Sequence, residues 1–135
     1  DPVVSRFLDV SGGAARKPRP WKPLLVPKEK IDAEVRRLAA LARPANGRRA
    51  ATVVHPSADP EAPGLTPTCK VTLHVLRPGE ETLPRRESTN QIEITIAGRG
   101  TVTVGDSFEV GLHDVWNLAP MRVYSHRNTG KDLWV

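Results

Sequence analysis

The strongest pattern in the chain is an alternation of apolar and polar residues in its last third. Residues 91–96 read Gln-Ile-Glu-Ile-Thr-Ile and residues 101–104 read Thr-Val-Thr-Val. β-Branched residues alternating with polar ones are typical of half-buried strands. Gly98, Gly100 and the pair Gly105-Asp106 interrupt the alternation, so the pattern predicts short antiparallel strands joined by tight turns. Strands this short and evenly spaced favour a sandwich or a small barrel.

The sequence predicts one helix, over residues 28–43. Apolar residues recur there at intervals of three and four, which places them on one helical face. They are Ile31, Val35, Leu38 and Ala42. Pro27 precedes the helix and Pro44 ends it, because proline lacks the backbone donor that a continuing helix needs. The stripe is narrow, so we expect one face to pack against the outside of a barrel.

Another strand is predicted from Lys70 to Arg77. One face carries Val71, Leu73 and Val75, and the other carries Thr72, His74 and Leu76. If the second face lines a barrel, His74 points into the cavity; the alternative is a histidine hydrogen-bonded at a sheet surface. A shorter strand is predicted at residues 51–54, and we expect His55, which follows it, to lie at the surface.

Positive charge is concentrated in the first fifty residues. Residues 1–50 carry twelve Lys and Arg against five Asp and Glu, whereas residues 51–135 carry eight against ten. We therefore divide the chain into a basic N-terminal arm plus helix at 1–50 and a barrel at 51–135. A basic, proline-rich arm containing Trp21 could contact nucleic acid as a regulatory partner. The favoured interpretation is an arm that packs on its own barrel or on a second copy.

Composition sets further bounds. A chain of 135 residues with 39% hydrophobic and 26% charged residues is ordinary for one globular domain. Cys69 is the only cysteine, which excludes an internal disulfide framework and a thiolate-rich zinc site, and we expect it to be a small buried side chain. No apolar run is long enough to span a bilayer, so we expect a cytoplasmic protein without a membrane partner. A start at Asp1 rather than Met is compatible with a trimmed piece of a longer polypeptide.

The stretch from Pro78 to Asn128 resembles the two signature motifs of the cupin superfamily. Gly79 and Gly98 have the separation of the glycines that bound the first motif. The second motif ends in a histidine, three more residues and an asparagine; Tyr124 stands at the histidine position and Asn128 at the asparagine, and the two glycines of the motif fall on His113 and Met121. The local sequence is most similar to that of the gentisate dioxygenase branch. The residues that carry this similarity are Pro78-Gly79-Glu80, Arg86 and Gly98-Arg99-Gly100. The resemblance implies a mainly β fold, a double-stranded β-helix or jelly-roll barrel.

The resemblance also says where a metal would be held in this barrel. Its ligand positions fall on Arg85, Glu87, Gln91 and Tyr124, where the family usually has imidazoles and a carboxylate. Arg85 brings a permanent positive charge to that place, and Glu87 alone could coordinate readily. We therefore expect no cofactor and a degenerate metal site. An off-pattern site made by His74, Glu87 and His126 is the alternative, in which Fe(II) would serve an aromatic ring-cleaving dioxygenase.

Without a metal, these positions predict a binding pocket for a small organic anion or an aromatic acid. Arg85 would present its guanidinium to a carboxylate, with neighbouring polar groups beside it. The predicted ligand-binding residues are Arg85, Glu87, Gln91, Glu93, Tyr124 and His74. The competing interpretation is that Arg85 and Glu87 pair across a cavity without function, in a barrel that serves assembly.

The strand at 91–96 has two possible registrations. Cupin geometry points Gln91, Glu93 and Thr95 inward and turns three isoleucines outward, whereas a slip of one residue would reverse every side chain. Three isoleucines on the outer face would be exposed to water unless another protein surface packs on them. We therefore predict a homodimer, because cupins commonly dimerise through such a face.

Overall fold

The computed structural model describes Ser11 and residues 20–135, and most of the predicted arm lies outside these residues. The described part contains one helix and seven strands. They are α1 (Lys28–Ala40), β1 (Arg49–Val53), β2 (Val71–Val75), β3 (Gln91–Ile94), β4 (Gly100–Val104), β5 (Asp106–Val110), β6 (Val115–Leu118) and β7 (Ser125–Arg127). The domain is mainly β, as predicted.

The strands form three small antiparallel sheets, ordered β1-β2, β3-β6 and β5-β4-β7. Single antiparallel bridges join the connecting segments to the sheets: Leu76 with Trp134, Glu81 with Arg127, and Arg85 with Tyr124. Sheets that are closed on one another in this way form a jelly-roll barrel. The turn between β4 and β5 lies at Gly105, which has φ 75°.

Backbone turns occur at each position where the resemblance predicts a glycine. Gly79 and Gly98 have φ values of 78° and 74°. His113 and Met121 have φ values of 69° and 64°, although they are not glycines. A side chain in this left-handed region costs about 1–2 kcal/mol, so the surrounding contacts hold both turns against their local preference.

The barrel core is built from residues on the inward faces of the strands and their extensions. Its buried members are Leu76, Val102, Val110, Leu118, Tyr124 and Trp134. Trp134 crosses the base of the barrel, where its Nε1–H donates to Thr95 Oγ1 at 3.0 Å. A Cβ at Gly100 would stand 2.2 Å from Trp134 Cε3. Gly100 of the predicted Gly-x-Gly turn thus packs directly against an aromatic ring, where a side chain would not fit.

The helix covers the outer face of the β1–β2 sheet, as its apolar stripe predicts, with Leu38 fully buried. It ends at Ala40, three residues before the predicted end. Two arginines account for this stop, because they bond the last carbonyls. Arg77 Nε–H donates to Ala39 O at 2.6 Å, and Arg49 Nε–H donates to Leu41 O at 3.0 Å. Arg49 also begins β1, so that strand crosses the predicted boundary at residue 50.

Two smaller predictions are wrong. Cys69 is exposed rather than buried, because it lies in a turn before β2. His55 is buried rather than at the surface: its ring stacks on Trp21 with centroids 4.7 Å apart, and its Nε2 bonds Lys22 O at 2.8 Å. Trp21 thus packs on its own domain. Among the described residues, no helix is both long and apolar enough to cross a bilayer.

Candidate functional site

Strand β3 presents its polar side chains to the barrel interior, in the predicted registration. Ile92, Ile94 and Ile96 are 82%, 52% and 42% exposed, whereas Thr95 is fully buried and Gln91 and Glu93 are partly buried. The alternative registration, with isoleucines filling the barrel, is therefore wrong. Side chains alternate between the two faces of a strand, so the outward position of the isoleucines fixes the orientation of every other side chain in β3.

Gln91 and Tyr124, two predicted site residues, contact each other. Gln91 Nε2 donates to Tyr124 Oη at 3.2 Å. Tyr124 is buried in the core cluster, and its backbone pairs with Arg85 through hydrogen bonds of 2.9 and 2.8 Å. The segment that carries Arg85 is thereby fixed beside the strand that follows Tyr124.

His126 and Glu93 form a second interior pair. His126 Nε2 lies 2.7 Å from Glu93 Oε2, and the two side chains are only 14% and 20% exposed. The backbone of His126 is held by Thr82, whose amide donates to His126 O and whose Oγ1 accepts from His126 N–H, both at 2.9 Å. The Tyr124 and Trp134 rings lie 5.5 and 5.6 Å from the imidazole. The imidazole is thus fixed on several sides.

His74 lines the interior, on the face that the sequence alternation suggested. It pairs with Ala50 across β1 and β2, while the neighbouring pair, Arg49 and Val75, is buried on the side of the helix. Ala50 and His74 face inward but are not fully enclosed, so solvent reaches this end of the barrel. Desolvation by the surrounding chain lowers the pKa of His74 to about 4, and the charge of Glu93 only partly offsets it. His74 is therefore neutral at pH 7.

Arg85 and Glu87 form an ion pair at the rim. The Arg85 side chain is 46% exposed and that of Glu87 is 27% exposed, so water screens this pair. The structure thus places Arg85 at the surface end of the interior polar groups rather than among the buried ones. Its charge still acts on His74 and on Arg48.

Arg48 is a site residue that the sequence reasoning missed. It immediately precedes β1 on the same face as Ala50, and only 9% of it is exposed. Its Nη2–H donates to Leu83 O at 2.6 Å, and its Cζ lies 5.5 Å from the centroid of the Tyr124 ring. Burial lowers the pKa of Arg48, and Tyr124 acts in the opposite direction. The alternation of side chains contained a signal, because extending the predicted strand back by three residues puts Arg48 and Ala50 on one face, and Ala50 pairs with His74 of β2.

The donor set does not fit a divalent metal ion. No three His, Cys, Asp or Glu side chains converge as ligands in Ser11 or residues 20–135. The predicted off-pattern set is not brought together either, since His126 bonds Glu93 and Glu87 bonds Arg85. The positions that the sequence resemblance aligns with cupin metal ligands carry a guanidinium already paired with Glu87 and an amide bonded to a phenol.

Two shallow depressions lie at the other end of the barrel, with volumes of about 430 and 220 Å³. Both are lined by Arg99 and Gly111, next to the turns that follow β3 and β5. Neither is lined by a residue of the interior cluster, which consists of Arg48, His74, Gln91, Glu93, Tyr124 and His126. We assign the candidate site to the cluster because its buried polar groups are held by specific hydrogen bonds, whereas the depressions are open surface.

The fold is that of the cupin superfamily. Salicylate 1,2-dioxygenase from Pseudoaminobacter salicylatoxidans, in a crystal structure with gentisate adducts, superposes with a TM-score of 0.66 at 21% sequence identity. That match covers 78% of this chain and 30% of the dioxygenase. A mutant of the same enzyme gives a TM-score of 0.68 at 21% identity, over 81% of this chain and 32% of the other.

The chain therefore spans about a third of the length of these dioxygenases. At this level of identity the likeness establishes the fold alone. Neither the protein-family profiles nor the curated proteins contain a match to the sequence.

Proposed function

We propose that the open end of the barrel binds a small organic anion, an aromatic carboxylic acid, through Arg48 and without a resident metal. The observation that carries this proposal is a buried guanidinium that pairs with no carboxylate among the described residues. The carboxylates nearby are already bonded to other cations or to imidazole: Glu87 to Arg85, and Glu93 to His126.

A buried cation without a counter-ion is costly, since desolvation costs several kcal/mol per ion even after relaxation. The direct contacts of Arg48 are one backbone carbonyl and one aromatic face, and the charges of Glu93 and Glu87 act on it without a direct ion pair. A ligand carboxylate would supply the missing negative charge in a bidentate geometry. Arg85, at the rim of the cavity, adds positive potential that draws an anion inward.

Polar groups around Arg48 would orient the rest of the ligand. Gln91 and Tyr124 offer an amide and a phenol, and neutral His74 can donate to or accept from a ring hydroxyl. Trp116 lies opposite Glu93, and its buried Nε1–H has no acceptor within residues 20–135. Gentisate, present in the salicylate dioxygenase structure, is an aromatic acid, which supports this ligand class.

Ring cleavage by Fe(II) is the alternative that the cupin resemblance raises. It requires donors with free lone pairs, and the side chains at these positions do not supply them: Arg85 is cationic and Glu87 is paired with it. We therefore propose binding rather than dioxygenation for this chain.

We also propose that the chain forms a homodimer through the outer face of the β3–β6 sheet. Of the three described sheets, β1–β2 is covered by α1, and β4–β5 is polar outside, with Thr101, Thr103, Ser107 and Glu109. The outer face of β3–β6 instead carries Ile92, Ile94 and Val115, all exposed. An exposed apolar face of this kind is typical of an interface, and a second copy offers the same face in return.

Isothermal titration with benzoate, salicylate and gentisate tests the proposed site. We expect at least one of them to bind the wild-type chain, and Arg48→Met to weaken that binding by about tenfold or more, since an interaction with a buried charge is worth roughly 1.5–3 kcal/mol. Benzamide, which has the ring without the charge, is the matched ligand control. Equal affinity of wild type and Arg48→Met for the acids would contradict the proposal. The protein should bind them equally well after dialysis against a chelator.

A further inference from the structure

We propose that the barrel wall between β2 and β3 binds an extended segment of a partner protein, which pairs as a strand antiparallel to both. The proposal concerns the wall of the barrel and does not depend on the anion site. It starts from Trp134 and Val135, which already lie between the extensions of β2 and β3 and pair with each of them.

These two residues define a groove that is one strand wide. Trp134 and Leu76 exchange two backbone hydrogen bonds, each of 3.0 Å. On the other side, Val135 N–H donates to Ala97 O at 2.9 Å. The amides of Ile96 and Ala97 both donate to Val135 O, at 2.9 and 3.4 Å, which is the pattern of a β-bulge. At this point β2 and β3 are therefore separated by two strand spacings of about 4.8 Å each.

The edge of β2 that faces β3 carries backbone groups without a strand partner in the described part of the chain. There β2 has β1 as its only neighbour. Hydrogen bonds of an antiparallel strand alternate between its two sides. Since Leu76 bonds toward Trp134, the N–H and C=O groups of Thr72 and His74 point the same way, away from β1.

Strand β3 presents the same kind of edge from the other side of the groove. Its only neighbour among the described strands is β6. Thr95 bonds toward the segment before β6, whereas Ile96 bonds toward Val135. By the same alternation, the N–H and C=O groups of Ile92 and Ile94 point toward β2. Two such edges that face each other across one strand width are a template for a further strand.

The register fixes the side-chain pattern of that strand. A segment in line with the last two residues would bond β2 and β3 alternately. Residues that bond β2 would turn their side chains inward, as Trp134 does, and would lie beside Glu93 and Thr95. Residues that bond β3 would turn outward, beside Ile92 and Ile94. Cross-strand neighbours of like kind stabilise a sheet and like charges destabilise it, so the segment alternates small polar residues with β-branched apolar ones and has no carboxylate beside Glu93.

The width of the groove decides what kind of partner fits. It admits a single extended segment, whereas the described strands of a second folded copy are already paired in their own sheets. Addition of a strand to a sheet edge takes its affinity from main-chain hydrogen bonds and its specificity from alternate side chains. The partner is therefore an extended peptide segment rather than the folded surface of another barrel.

A synthetic peptide with the sequence Thr-Val-Thr-Val-Thr, followed by two lysines for solubility, tests the proposal on the complete 135-residue chain. We expect isothermal titration to detect binding. Isotope-filtered NMR should show contacts from the peptide to the four N–H groups that face the groove, which are those of Thr72, His74, Ile92 and Ile94. The N–H groups of Leu73 and Glu93 point toward β1 and β6 and should show none, which makes them internal controls.

A peptide in which both valines are N-methylated is the matched control. It keeps every side chain and loses the two donors that would bond β3, so we expect its affinity to be about tenfold lower or less. Equal affinity of the two peptides would overturn the proposal, and so would contacts to another strand edge such as that of β5. Absence of binding at peptide concentrations up to about 1 mM would also overturn it.

The peptide-free protein supplies a further test, because a second copy is the competing occupant. A sample that mixes labelled and unlabelled chains should give no contact between copies at the same four N–H groups. If such contacts appear, the chain fills its own groove by exchanging a segment between copies, and the partner proposal is overturned. This measurement needs no variant, so an unstable mutant cannot mask the result.

Discussion

Arg48 and Arg49 are adjacent in the chain, but their guanidinium groups lie on opposite faces of the β1–β2 sheet. Arg48 points into the barrel and lies against the Tyr124 ring, whereas Arg49 points toward α1 and pairs with Glu80. The same short segment thus fixes the end of the helix on one side and supplies the candidate anion anchor on the other. The buried Arg49–Glu80 pair therefore holds the backbone that carries Arg48.

Replacing Glu80 by alanine should strongly destabilise the domain. The Arg49 side chain is fully buried, and Glu80 is its carboxylate partner. Removing one member of a buried pair leaves an uncompensated charge and typically costs about 3–5 kcal/mol. The free energy of unfolding in urea would measure this loss. Glu81→Ala is the matched control, because Glu81 is exposed; an equal effect of the two variants would contradict a structural role for the pair.

The stability of the protein should fall between pH 6.5 and pH 4 because of His74. Its folded-state pKa of about 4 lies below the value of 6.5 expected for an unfolded chain. The unfolded state therefore binds more protons in this window, so the free energy of unfolding decreases as the pH falls. Urea denaturation across the window should give a smaller slope for His74→Gln than for wild type.

His113→Asn serves as the control for this pH dependence. His113 is exposed, and asparagine tolerates its left-handed backbone. The slope of that variant is the reference with which the His74→Gln slope is compared. A His74→Gln slope indistinguishable from wild type would mean that the histidine remains protonated as easily in the folded barrel as in the unfolded chain.

The sequence predicted the part of the site that depends on periodicity. The alternation in β3 predicted a strand, and the resemblance carried by Gly79 and Gly98 predicted the fold, the inward face of β3 and the choice of Gln91 and Tyr124 as site residues. Their contact with each other was not predicted. The partners of the charged groups are not local. His126 and Glu93 are 33 residues apart, and the side to which Arg48 points is set by the pairing of β1 with β2.

Partners that are distant in sequence also explain why the helix end was predicted in the wrong place. Arg77 bonds a carbonyl 38 residues earlier in the chain, so no helical pattern around Ala40 could reveal the stop. Arg85 was predicted as the anion anchor from the resemblance, and the competing interpretation paired it with Glu87; the structure contains that pair, in a partly exposed position. Charge pairing is decided by packing, which one sequence does not specify.

The isoleucine face predicts a dimer that a single charge should break. Ile92 is the most exposed of these residues, and a lysine there would be desolvated in an apolar interface. Light scattering should give wild type about twice the chain mass of 14.8 kDa and Ile92→Lys the monomer mass. Glu109→Lys, on the polar outer face of β5, should leave the dimer intact. A monomeric wild-type protein at working concentrations would contradict the proposed interface.

Alanine substitutions at two glycines should differ in cost, because the two positions differ in the space around them. At Gly100 a Cβ would lie 2.2 Å from the Trp134 ring, and the ring cannot retreat without losing its bond to Thr95. Overpacking of this kind costs about 1–3 kcal/mol. At Gly79 no atom lies within 4 Å of the added Cβ, so only the left-handed backbone, with φ 78°, opposes the change, at about 1–2 kcal/mol.

The fluorescence of Trp134 separates these two effects in the same unfolding experiment. Gly100→Ala should shift the native tryptophan emission as well as lower the free energy of unfolding, since it displaces the ring. Gly79→Ala should lower the free energy of unfolding with the native emission unchanged. If Gly100→Ala leaves both quantities at their wild-type values, the ring does not pack on the Gly98–Gly100 turn, and the base of the barrel is not closed in the way that the structure describes.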